Sequence, residues 1–223
     1  MRAVVEWGWR LLTEQERELA RWFAVFVGGG TAEAVGRVAG DGSSMLAALV
    51  DKSFVAWDGA RYRMLETIRA YVAEDAVAAG VLRVAARRHA EYFTRLAEES
   101  EPALRTAEQP VWMARLAAEH GNAAAALEWA VAEGEVELAL RLFGSLSWYL
   151  LLKGRRGELM TWRRRVLGLV AEAERRPRDR LRALRRRILR APMRRTFRTS
   201  WIRSGGGGSG RRAPGFWSCT SRP

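Results

Sequence analysis

At 223 residues with a hydrophobic share of 48%, the chain can hold one or two domains and bury a sizeable core. Its net charge of +13 suggests a nucleic-acid partner until it is divided: residues 1–150 hold 16 Lys+Arg against 21 Asp+Glu, whereas residues 151–223 hold 22 against 4. The one cysteine, Cys219, excludes an internal disulfide and any cysteine-based metal site. Acids at Glu6, Glu14 and Glu16 stand where a signal peptide needs an apolar core, so export is not expected. The apolar run Leu142 to Leu152 is too short for a membrane span of about 20 residues and reads as a buried helix. A soluble cytoplasmic protein with no membrane partner is expected.

In chain order, Ala3 to Leu12 is a first helix with Val4, Val5, Leu11 and Leu12 on one face. Thr13 is the N-cap of a second, and Glu16, three residues on, completes a capping box. Leu19, Trp22, Phe23 and Phe26 give that helix an amphipathic stripe, and Gly28-Gly29-Gly30 is expected to end it. Thr31 caps a short helix to Ala39, and Ser43 or Ser44 caps a third through Val50. Two β-like runs follow, Ser53 to Trp57 and Arg61 to Leu65, turned by Asp58-Gly59-Ala60. Alternation sends Phe54, Tyr62 and Met64 to the core and Arg61 and Arg63 to water. Three helices and a β-hairpin give the order of a winged helix, over about residues 1–80.

From Glu66 onward the chain reads as helix after helix. One stops near Gly80, and a long one from Leu82 to Glu99 carries His89, Tyr92, Phe93 and Leu96 on a stripe. Pro102 and Pro110 punctuate a loop before helices at Val111–His120, Asn122–Ala132, Val136–Leu152 and Gly157 to about Ala173. Consecutive helices broken at Gly134 and Gly154 suggest an α-solenoid over residues 81–173, tetratricopeptide-like but without a clean 34-residue repeat. The fold class expected is mostly α, with a disordered basic tail over residues 174–223. Residues 175–223 hold 16 arginines, a "SGGGGSG" linker and too little apolar periodicity to bury a core.

Chemistry-bearing patterns are few. His89 and His120 are the only histidines; neither neighbours a nucleophile in sequence, and together they lack helical metal-ligand spacing. No catalytic, cofactor or metal residue is marked. As a DNA reader, the winged helix would use Ser43 to Lys52 for recognition, yet "SSMLAALVDK" offers no Arg, Asn or Gln for base edges. Lys52, Arg61 and Arg63 are the residues that would touch nucleic acid. Trp112, Trp129, Trp148, Tyr149 and Trp162 either glue helices together or line a ligand surface, and core is the favoured reading.

Four phrases resemble one family, the large multidomain regulators of actinobacteria built around a signal-transduction ATPase core, with LuxR-type or antibiotic-regulatory DNA-binding domains. They are "WGWRLLTEQERELARWFAVFVGGGTAEAV", "LAALVDKSFV…RYRMLETIRAYVAE", "RRHAEYFTRLAEESEPAL" and "WMARLAAEHGNAAAALEWAV". The resemblance covers about residues 4–167. It implies a winged helix that packs on an ATPase core normally in the same polypeptide, and helical repeats that sense a protein or small-ligand effector. It also implies that DNA is met through a separate domain. This sequence departs from the family in having no Walker A motif, since no glycine precedes Lys-Ser or Lys-Thr. It resembles a fragment that begins after the ATPase core. With 36 arginines against 2 lysines, the bias of GC-rich coding, the tail is expected to arise from a frameshift between about Val166 and Arg180, the alternative being a natural basic tail.

Overall fold

The computed structural model describes residues 2–175. The expected tail beyond Arg175, and residues 176–180 of the frameshift interval, lie outside the described residues. Ten α-helices and one small sheet follow in the order α1 Arg2–Arg10, α2 Glu14–Phe23, α3 Ala32–Ala39, a 3-10 turn Gly40–Met45, α4 Leu46–Asp51, β1 Ala56–Trp57, β2 Tyr62–Arg63, α5 Glu66–Ala78, α6 Leu82–Ala103, α7 Gln109–Ala118, α8 His120–Ala132, α9 Val136–Leu152 and α10 Arg156–Arg175. The fold is mostly α, a winged helix followed by a helical domain.

Local chemistry sets several boundaries as the sequence implies. Thr13 Oγ1 accepts the Glu16 N–H at 3.3 Å while Glu16 Oε2 accepts the Thr13 N–H at 2.7 Å, the reciprocal capping box. Thr31 Oγ1 caps α3 through Ala34 N–H at 3.1 Å. Asp58 Oδ1 accepts from the N–H groups of Ala60 and Arg61, closing the hairpin as an Asx turn with Gly59 at φ +93°.

Four expectations are corrected. α2 ends at Phe23, a full turn before the glycines, because Phe26 must turn inward against Phe23 and Phe93. The freed Gly30 instead pairs with Tyr62 through two backbone hydrogen bonds of 2.9 and 2.8 Å, lying beside the hairpin like a third strand. The N-cap position of α4 falls on Met45, which makes no side-chain bond, rather than on Ser43 or Ser44, because a 3-10 turn, Gly40–Met45, runs straight into the helix. The paired strands are two residues each rather than five. The alternation expected of Arg61 therefore has no strand to act through. α6 runs through Pro102, which sits in its last turn where only one ladder bond is at stake, and Pro110 falls in the first turn of α7.

The core is continuous from Trp9 on α1 to Val166 on α10. α6 is its spine. One side meets the three-helix region through Phe93 and Phe26, and the helix packs along both α8 and α9, with α10 closing over α9. Tyr149 and Trp162 are buried, and Trp112, Trp129 and Trp148 are half-buried against the same core, in keeping with glue between helices. The apolar run Leu142–Leu152 lies in α9, and no described helix is long and apolar enough to cross a membrane.

Candidate functional site

The hairpin is where the sequence places its three candidate contacts, so its geometry decides what they are free to do. Lys52, at the C-cap of α4, donates to Glu16 Oε2 at 2.7 Å and to the Leu11 carbonyl at 3.3 Å. That ammonium is the first cause of a lowered Glu16 pKa, and it ties α4 to the corner between α1 and α2. Arg63 is exposed; its Nε donates to Asp58 Oδ2 at 2.8 Å and its Nη1 to the Gly28 carbonyl at 3.2 Å. The pairing with Arg63, with two backbone N–H groups behind it, lowers the Asp58 carboxyl to about 2.

Arg61 does not face water. Its side chain is 10% exposed and lies against Glu119, itself 7% exposed, at the turn from α7 into α8. Nη1 and Nη2 donate to the two carboxylate oxygens at 2.5 and 2.9 Å, a fork-on-fork pair, and Nη2 also donates to the Gly29 carbonyl at 2.8 Å. The hydrogen bonds to Glu119 raise the guanidinium pKa against the cost of its burial. Asn122, fully buried in the first turn of α8, completes the cluster. Its Nδ2 donates to Gly29 O at 2.8 Å and to Glu119 Oε2 at 2.9 Å, and its Oδ1 accepts the Gly28 N–H at 3.3 Å.

The glycine loop is shaped for this. Gly29 has φ +71°, and a Cβ there would stand 2.4 Å from the Tyr62 carbonyl, so neither the conformation nor the space admits another side chain. A Cβ on Gly28 would lie 3.7 Å from Asn122 Nδ2, in ordinary contact. The wing, the glycine loop and the start of α8 are thus joined by one buried polar cluster. Sequence reasoning missed Glu119 and Asn122 as partners of Arg61. The signal available was that "AAEHGN" places a carboxylate and an amide three residues apart at a helix start, one face of a first turn.

The histidines take separate places. His89 is buried on α6, its ring edge-on to Phe26 at 5.0 Å and tilted on Phe93 at 4.6 Å; burial lowers its pKa to about 4, opposed by a hydrogen bond to Asn122. His120 opens α8 rather than ending α7, and its Nε2 lies 3.0 Å from Glu158 Oε1 in the first turn of α10 and 2.9 Å from Nη1 of Arg155, the residue just before that helix. Among the described residues, no group of three or more His, Cys, Asp or Glu is placed to hold a metal ion.

A hairpin behind three short helices, fastened by a buried ion pair to a following helical array, defines a winged-helix and helical-domain assembly. The chain is similar to proteins of Mycobacterium bovis and Mycobacterium tuberculosis provisionally named HTH-type transcriptional regulators. It is 38% identical to each over 159 residues, which is 66% of this chain and 18% of the relative. The likeness supports a transcription-regulator family, and the chain spans under a fifth of the length of these relatives. No family model matches the chain, and no solved structure does.

Proposed function

We propose that the chain is a non-catalytic regulatory and protein-interaction module of a multidomain transcription regulator working in the cytoplasm. On this reading residues 1–80 are a winged-helix domain used for packing, with an ATPase core normally in the same polypeptide as its partner. Residues 81–173 are the helical-repeat domain that senses an effector. The observation that carries it is the wing arginine: Arg61 spends its charge on Glu119 inside the protein, and Lys52 and Arg63 each face a carboxylate of their own. A domain that wraps phosphates needs surplus cations, and residues 1–150 have a surplus of acids. DNA contact is then the task of another region of a longer chain.

Fluorescence anisotropy with labelled duplexes, read across salt concentrations, tests the proposal. The full chain should bind without sequence preference through its C-terminal arginines, and deleting residues 175–223 should abolish binding. Sequence-selective binding that survives the deletion and weakens in Arg63→Ala and Lys52→Ala would instead support a free-standing winged-helix DNA binder, the reading nearest to the HTH in the relatives' names.

A further inference from the structure

The start of α8 meets the wing with one residue and the last helix with the next. Glu119, its N-cap residue, pairs with Arg61, while His120, the first residue of the helix, reaches α10. The imidazole is half-buried, and its Nε2 stands between two groups, 2.9 Å from Arg155 Nη1 and 3.0 Å from Glu158 Oε1. Those neighbours also pair with each other, Arg155 Nη1 donating to Glu158 Oε2 at 2.8 Å.

The two contacts ask opposite things of one atom. A guanidinium has donors and no acceptor, an ionised carboxylate has acceptors and no donor, and an imidazole nitrogen carries either a lone pair or a proton. A bare Nε2 accepts from Arg155 and turns its lone pair on the Glu158 oxygen. A protonated Nε2 donates to Glu158 and turns its N–H on that of Arg155. No single protonation state satisfies both neighbours. An imidazolium has no lone pair, so adding a proton ends the bond from Arg155 and makes a charge-assisted one to Glu158. Histidine is the side chain whose ordinary charge change falls between pH 5 and 8.

The other titratable groups nearby are engaged elsewhere. From α9 the ring of Tyr149 lies 6.0 Å away, and burial raises its pKa, so it stays neutral over that range. At the start of α8 the Glu119 carboxylate is taken by Arg61 and Asn122. From α6, Tyr92 is within electrostatic reach of Glu119, and His89 is bonded to Asn122. A change of partner also changes what α8 is anchored to, since Arg155 precedes α10 and Glu158 lies in its first turn. The backbone that must follow is that of Glu119, and a desolvated pair such as Arg61–Glu119 does not stretch by degrees.

We propose that His120 is a proton-operated coupling between α10 and the wing. Neutral, it accepts from Arg155; protonated, it passes to Glu158 and moves the start of α8, carrying Arg61 and the hairpin with it. The coupling needs neither an ATPase core nor an effector, so it stands or falls apart from the proposed function.

Nuclear magnetic resonance of the full chain, with nitrogen-15 in its histidines and backbone, tests this between pH 5 and 8. There are two histidines, and burial holds the pKa of His89 at about 4, so their signals separate. At the upper end of the range His120 Nε2 should be bare with the proton on Nδ1, and on acidification it should become protonated. Arg155→Met should move that transition to higher pH, because it removes a cation, and Glu158→Gln should move it to lower pH, because it removes an anion. The amides of Gly30 and Tyr62, which donate to each other's carbonyls beside the hairpin, should shift along the same curve and lose that shift in His120→Gln. An Nε2 that keeps its proton at every pH overturns the exchange of partners, as do variants that move the transition in the same direction or not at all. Gly30 and Tyr62 amides that ignore the His120 transition overturn the coupling to the wing.

Discussion

Replacing Arg61 with alanine removes one half of an ion pair whose members are only 10% and 7% exposed. Three donor contacts vanish at once: two to Glu119 and one to the Gly29 carbonyl. Glu119 is then a buried carboxylate left with the amide of Asn122 at 2.9 Å, while Gly29 O keeps that same amide at 2.8 Å. Breaking a buried pair from one side costs about 3–5 kcal/mol, because the remaining charge is uncompensated in a poorly solvated place. Against a domain stability on the order of 5–15 kcal/mol, that is a large share. Arg63 offers the internal control: it sits two residues away with 54% of its side chain exposed, and its alanine variant should shift the unfolding midpoint far less. Urea denaturation followed by tryptophan emission and far-ultraviolet dichroism measures both. The paired replacement Arg61→Met with Glu119→Leu should recover most of the loss, since two apolar side chains leave no orphan charge. An Arg61→Ala cost below about 1 kcal/mol, or a double variant no better than the single, would refute the idea that a desolvated pair fastens the wing to α8.

Gly29→Ala should destabilise by about 1–3 kcal/mol from its φ of +71° alone and further from the Tyr62 carbonyl, whereas Gly59→Ala, with φ +93° but open space, should lose only the conformational part. Comparing the two unfolding midpoints separates clash from strain. Thr13→Ala should cost about 1 kcal/mol by removing the α2 capping box, and amide exchange at Glu16 should speed up ahead of the core. His89 binds a proton less readily folded, at about 4, than unfolded, near 6.5, so its contribution is fully present above pH 6.5 and is lost as pH falls towards 4. The loss is on the order of 3 kcal/mol, and His89→Leu should flatten that segment of the stability–pH curve measured by denaturation at closely spaced pH values.

What was readable in the sequence was what depends on neighbours. Thr13 with Glu16, Thr31, the Asp58-Gly59 turn and the helix stops at Gly80, Gly134 and Gly154 each need only a few consecutive residues, and each took its expected place. Arg61 needed a partner 58 positions away, and alternation along a strand said nothing of it. The glycine run failed for a related reason. As a local signal it reads as a helix stop, but its conformational freedom is used to bring backbone against Tyr62, a contact that exists only once the hairpin has folded. His120 and Pro102 are boundary cases, where a helix start and a tolerated last-turn proline look alike to a linear reading.

The buried cluster also bears on how the two halves could communicate. A surface contact between hairpin and α8 would weaken by small degrees as the halves slid apart, but a desolvated fork-on-fork pair is either docked or broken. Movement of the hairpin away from α8 would strand Arg61 and Glu119 together, with the Gly29 carbonyl and Asn122, so intermediate positions are the costly ones. Joints of that kind favour two arrangements over a continuum, which is what a regulatory element needs if an effector in the helical part is to be felt at the wing. On the proposed reading, the cations of the wing are therefore better understood as parts of a latch than as phosphate contacts. The same geometry that withdraws Arg61 from DNA makes its position depend on α8.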